Sequence, residues 1–103
     1  GNQITVQPAG AISGFVTDEA GNPLANIAVN VDGLSTGFHE RVCSTENGYY
    51  LFTRLPLDTY TLSAGGFGTE DCPENSFATL TQPDVVVDLD RRVLEGLDIT
   101  LSP

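Results

Sequence analysis

The stretch Ile12-Ser13-Gly14-Phe15-Val16-Thr17, running into Asp18-Glu19-Ala20-Gly21-Asn22-Pro23, decides how this chain is read. Over its first six positions Ile12, Gly14 and Val16 fall on one face, apolar or small, and Ser13, Phe15 and Thr17 on the other, mostly polar. That period of two is the mark of a strand with one buried face. The segment after it brings Asp, Gly, Asn and Pro together, so the chain reverses there.

The same alternation continues outward from this point. Ile27, Val29 and Val31 alternate with Ala28, Asn30 and Asp32 in a second strand, and Gly33 to Gly37 is a loop. Phe38 to Thr45 reads as a third strand. Glu46-Asn47-Gly48 is a hairpin turn in which Asn and Gly tolerate positive φ, and Tyr49-Tyr50-Leu51-Phe52-Thr53 is the return strand. Leu55-Pro56-Leu57-Asp58-Thr59 makes a tight turn before a strand at Tyr60 to Ala64. Gly65 to Pro83 lacks steady alternation and is read as a long loop with a short strand at Phe77 to Leu80. Val85, Val87 and Leu89 alternate with Val86, Asp88 and Asp90 in a sixth strand, and Leu97 to Leu101 is a seventh. Arg91 to Gly96 has moderate helix propensity but is too short to form a helix. Strands at this spacing, punctuated by turns, indicate an all-β sandwich.

Composition bounds the function. Of 103 residues, 40% are hydrophobic and 17% charged, which fits one folded domain. Fourteen Asp and Glu face four Arg and no Lys, for a net charge of −10. A nucleic-acid partner needs a cationic face that this chain lacks. Schiff-base, P-loop and isopeptide chemistry all need the missing lysine. No apolar run reaches the ~18–20 residues needed for membrane insertion. Gly1 to Gln7 has neither the charged start nor the apolar centre of a signal peptide, and without an initiator Met the chain reads as a mature or excised piece.

Two segments stay open on the residues alone. Cys43 and Cys72 read as one disulfide in an oxidising, extracellular compartment, or else as two buried thiols. Ile4-Thr5-Val6 lies in an N-terminal segment, residues 1–10, that is either a linker or a strand donated to the edge of a neighbouring copy. The domain proper is read as residues 11–103.

The runs Ile12 to Asp18, Gly21 to Val29, Thr45 to Phe52 and Leu55 to Leu62 together resemble carboxypeptidase regulatory-like domains. These are prealbumin-like (transthyretin-like) sandwiches related to the B-type repeats of bacterial surface adhesins. The resemblance covers about residues 11–101 and implies a seven-stranded antiparallel Greek-key β-sandwich. In that family a "G-x-Y-x-F…LP-x-G-x-Y" run marks a hairpin and the corner after it; here Asp58 and Thr59 stand at the corner where the family usually carries Gly. Tyr50, Phe52, Tyr60 and Leu62 then face one core with Ile12, Val16, Ile27, Val29, Val31, Val42, Val85, Val87, Leu89, Leu97, Ile99 and Leu101. Gly14 suits a close approach or a bulge. The resemblance also implies a Cys43–Cys72 bridge like those of some extracellular relatives, worth about 3–4 kcal/mol in the chain-entropy model.

Candidate sites follow from residue chemistry. His39 is the one general base available, with Ser35, Ser44 and Ser63 as nominal nucleophiles, but no G-x-S-x-G elbow is present. Cys43, Cys72 and His39 would offer zinc only three unclustered ligands. Calcium finds more oxygens: Asp18 with Glu19, Asp84 with Asp88 and Asp90, and above all Glu70, Asp71, Glu74 and Asn75 in the long loop. The alternative is that these carboxylates are solvated. Glycans would use exposed aromatics, among Phe15, Phe38, Tyr49 and Phe67. There is no N-x-[ST] sequon.

The function expected is a non-catalytic extracellular module of a surface fibre, pilus-like filament or adhesin stalk, with other copies of itself or neighbouring domains as partners. Ile4, Thr5 and Val6 would link copies, Cys43 and Cys72 would staple the fold, and outward Phe15 and Tyr49 would form contact surface. The alternative is a calcium- or carbohydrate-binding accessory domain of a secreted enzyme.

Overall fold

The computed structural model describes residues 9–66, 68 and 71–103. Among them are eight strands: β1 (Ala9–Asp18), β2 (Ala28–Gly33), β3 (His39–Cys43), β4 (Tyr49–Pro56), β5 (Asp58–Ala64), β6 (Leu80–Val87), β7 (Val93–Leu94) and β8 (Ile99–Leu101). They form two sheets. Sheet one has β1 at its centre, with β4 on one side and β7 and β8 on the other; sheet two runs β3-β2-β5-β6. The chain crosses between sheets after β1, β3, β4 and β6, so neither sheet forms alone.

Period two holds where the sequence shows it. On β1, Ile12 and Val16 are fully buried while Phe15 stands outside; on β4, Tyr50 and Phe52 are buried and Leu51 is exposed. The core joins these to Ile27, Val29, Val31, Tyr60, Leu62, Val85, Val87, Ile99 and Leu101. Burying side chains of this size contributes ~1.5–3 kcal/mol each.

Several expectations are corrected. The antiparallel pattern holds for β1–β4, β2–β3, β2–β5 and β5–β6, but β7 and β8 both run parallel to β1. After β6 the chain returns to sheet one at the end where β1 begins, with the Ala11 N–H bonded to the Arg92 carbonyl, so it can only run beside β1 in the same direction. Residues 91–96, read as too short for a helix and given no strand, contain β7. Leu89, placed in the core by parity, is 67% exposed because β6 ends at Val87 and a turn at Asp88 to Arg91 follows. Val42 and Leu97 are only partly buried against the core. Leu55, read as part of a turn, is fully buried at the end of β4. Ala9 and Gly10, in the segment read as either a linker or a donated strand, pair with Pro56 and Leu55 of β4.

Two of the edge strands are interrupted. In β4, two residues, Thr53 and Arg54, face the single Ala11, and Arg54 takes φ 58°. In β6, Pro83 and Asp84 face Thr61, and Asp84 takes φ 62°. Each bulge puts a charged residue in a left-handed conformation on an edge strand, and Pro83 has no N–H to offer. Both devices discourage unplanned strand pairing. The second bulge also hid the first half of β6, since it breaks the alternation that would have joined Leu80 to Val85.

Candidate functional site

Strand direction gives the sandwich two distinct ends. At the entry end lie the start of β1, the corner at Leu55 to Asp58, the loop at 33–37 and the turn after β6. Gly10 is packed against Val87 and Arg92, and the Leu34 N–H donates to the Thr59 carbonyl. At the exit end Asp18 pairs with Leu101, Thr17 bridges Pro23, and the Ser102 carbonyl accepts from the Ala78 N–H. The chain therefore enters the fold at one end and leaves at the other.

The outer face of sheet one carries the aromatic candidates. Phe15 and Tyr49 are direct cross-strand partners, with ring centroids 5.4 Å apart at 57°. Phe15 is 44% exposed and Leu51, one place further along the same face, 43%, so the three make a small apolar patch. Leu51 was missed from the sequence, although its parity with Tyr49 points to it. Phe38, another aromatic candidate, turns inward and meets Tyr60 edge-on at 6.4 Å. Phe67, Ile4, Thr5 and Val6 lie outside the described residues.

The outer face of sheet two is polar. Arg41 Nε donates to Asn30 Oδ1 at 2.6 Å, and His39 Nδ1 lies 2.6 Å from Asp32 Oδ1 with both side chains about half exposed, 50% and 54%. These are cross-strand pairs, Asn30 opposite Arg41 and Asp32 opposite His39. Ser44 Oγ donates to the Leu24 carbonyl and accepts from the Ile27 N–H, which commits it to structure.

Cys43 and Cys72 are bonded, Cα to Cα 5.7 Å, and tie the long loop to the end of β3. Of the oxygens expected to hold calcium in the long loop, that of Asn75 is engaged with the backbone. Asn75 Oδ1 accepts from the Gly66 N–H at 2.7 Å and the Phe77 N–H at 3.1 Å, so it closes the loop upon itself. Asp71 and Glu74 are exposed, and Glu70 lies outside the described residues. Among the described residues no three His, Cys, Asp or Glu side chains are grouped to hold a metal.

Three other aspartates cap backbone. Asp18 accepts from the Ala20 and Asn22 N–H groups, and these bonds, chiefly that of Asn22, lower its pKa. Asp88 accepts from the Asp90 and Arg91 N–H groups. Asp58 accepts from the N–H groups of Ser35, Thr36 and Thr59 and from Thr36 Oγ1, and the Thr36 N–H leads in holding its carboxyl down at about 2. An open groove of about 350 Å³ runs beside it, lined by Leu57, Thr59, Val86 and Asp88. The Asp58 carboxylate is already committed to the 33–37 loop.

No curated protein matches the chain. Among solved structures it is similar to BcpA, the major pilin subunit of Bacillus cereus, with a TM-score of 0.70 at 20% identity, covering 92% of this chain and 30% of the pilin. A point variant of that pilin gives 0.69 at 19% identity over the same coverage. The chain thus spans under a third of the pilin's length, and the likeness is one of fold. The model of the carboxypeptidase regulatory-like domain matches residues 11–102, the two sheets and the corner between them included. The chain belongs to the carboxypeptidase regulatory-like domain family.

Proposed function

We propose that this chain is a non-catalytic structural module of an extracellular fibre or stalk, joined end to end with copies of itself or with neighbouring domains. The observation that carries this reading is the axial path of the chain, with β1 entering at one end and β8, parallel to it, leaving at the other. A module with its two connections at opposite ends adds length in series, and a head-to-tail contact that does not close generates a filament. The Cys43–Cys72 bond suits an oxidising, extracellular setting.

Charge supports the polarity. Asp18, Glu19 and Glu46 sit in the turns at the exit end, whereas Arg54, Arg91 and Arg92 lie toward the entry end beside Asp88 and Asp90. Two exit ends repel each other, and the arginine-bearing end is the better neighbour. The apolar Phe15–Tyr49–Leu51 patch is the lateral contact, and Ile4-Thr5-Val6 is the strand offered to the next copy.

Electron microscopy of the purified full chain tests this directly. Filaments that dissolve when residues 1–8 are removed support the reading. Dispersed particles at high concentration, with the N-terminus intact, would refute it.

A further inference from the structure

The edge of β1 that faces away from β4 is bonded, from Ala11 to Asp18, to the last segment of the chain. The Ala11 N–H donates to the Arg92 carbonyl at 2.8 Å, and Ala11 and Ile12 lie beside Val93 and Leu94. The Leu97 N–H donates to the Ser13 carbonyl at 3.0 Å, and the Phe15 N–H donates to Asp98 Oδ1 at 3.0 Å. Val16, Thr17 and Asp18 then lie beside Ile99, Thr100 and Leu101. Asp98 fills the gap between β7 and β8 with a side-chain acceptor.

The two segments run parallel, so a pull on the chain before Ala9 and after Leu101 acts at opposite ends of this seam. The strands must then slide past each other, and the bonds of the seam share the load. A pull on both segments from the same end would open them one at a time.

We propose that the seam between β1 and residues 92–101 is a shear clamp that bears axial tension, and that the Cys43–Cys72 bond limits how far the domain lengthens once the clamp yields. β1 and β8 both lie outside the ring that the disulfide closes, so they are free to separate while the enclosed stretch stays short. The bonded cysteines are 29 residues apart in sequence. At ~3.3–3.6 Å per extended residue, the bridge withholds about 100 Å of chain. The seam is a property of one copy, so the absence of filaments would sink the reading above without touching this one. That reading supplies only the source of the tension.

Single-molecule pulling on the full chain tests the proposal, with handles at its two ends in one geometry and at Glu19 and the C-terminal end in the other. Glu19 follows directly on β1, so the second geometry loads β1 and β8 from the same end. The unfolding force is expected to be several-fold higher in the axial geometry, and a thiol reductant should add about 100 Å to the length released. Equal forces in the two geometries, or an unchanged released length after reduction, overturns the proposal. As a second check, Asp98→Ala should lower the axial force while Asp98→Asn, which keeps an acceptor oxygen, largely preserves it. Equal loss in both variants would count against a hydrogen-bonding role for Asp98.

Discussion

The carbonyl of Leu97 lies in the space left by the missing side chain of Gly14: an ideal Cβ there would stand 2.2 Å from that oxygen. Tyr50 Oη, from the neighbouring β4, donates to the same carbonyl. One backbone oxygen thus holds the C-terminal segment against β1 and β4 at once. Burial of the Tyr50 phenol, with the Asp98 charge nearby, raises its pKa and keeps it a donor at any physiological pH.

Gly14→Ala should therefore destabilise the domain by about 2–3 kcal/mol, since the backbone carbonyl cannot yield as a flexible side chain would. Tyr50→Phe should cost less, about 1–2 kcal/mol, by leaving that carbonyl one donor short. Urea denaturation of the two variants checks the order. A Gly14→Ala variant as stable as the parent would show that the segment at Leu97 can move aside.

Reduction of the Cys43–Cys72 bond should lower stability by about 3–4 kcal/mol, mostly through the greater freedom of the unfolded chain. Thermal melts with and without a thiol reductant measure the difference, and a double Cys→Ser variant should match the reduced protein.

Leu55→Ala should cost about 2–5 kcal/mol, the range for emptying a fully buried leucine site. Leu55 is 0% exposed and stands where the chain leaves sheet one for sheet two. Leu89→Ala, at a 67% exposed position, should fall within about 0.5 kcal/mol of the parent. The pair separates the core the structure shows from the one that alternation alone suggests.

Acid stability should depend on Asp58. Its folded pKa of about 2 lies below its ordinary value of 3.8. Its contribution is thus fully present above the ordinary value and is lost as pH falls through the interval down to about 2. The lowered pKa of Asp18 acts in the same direction. Asp58→Asn should flatten the acid limb of a plot of melting temperature against pH while changing its shape little near neutrality. An unchanged acid limb would mean that the 33–37 loop finds other acceptors.

Phe15→Ser should leave the fold nearly as stable as before, because the ring is 44% exposed, yet weaken any lateral association of copies. Sedimentation of the variant beside the parent checks both halves of that statement.

Much of this protein was determined by local sequence. Alternation at Ile12 to Thr17 and Ile27 to Val31, and the aromatic run Tyr49 to Thr53 after its turn, placed the strands, and their buried faces follow because side chains on a strand point to opposite sides in turn. The turn residues placed the reversals. What the sequence could not determine was which strands lie side by side. That β7 and β8 run parallel to β1, that Asp98 bridges the gap between them, and that Gly14 makes room for the Leu97 carbonyl all depend on residues about 80 apart in the chain meeting in space. Nothing in the local pattern encodes those meetings. The same holds for the bulges at Arg54 and Asp84, where pairing with a neighbouring strand, not intrinsic preference, sets a charged residue in a left-handed conformation.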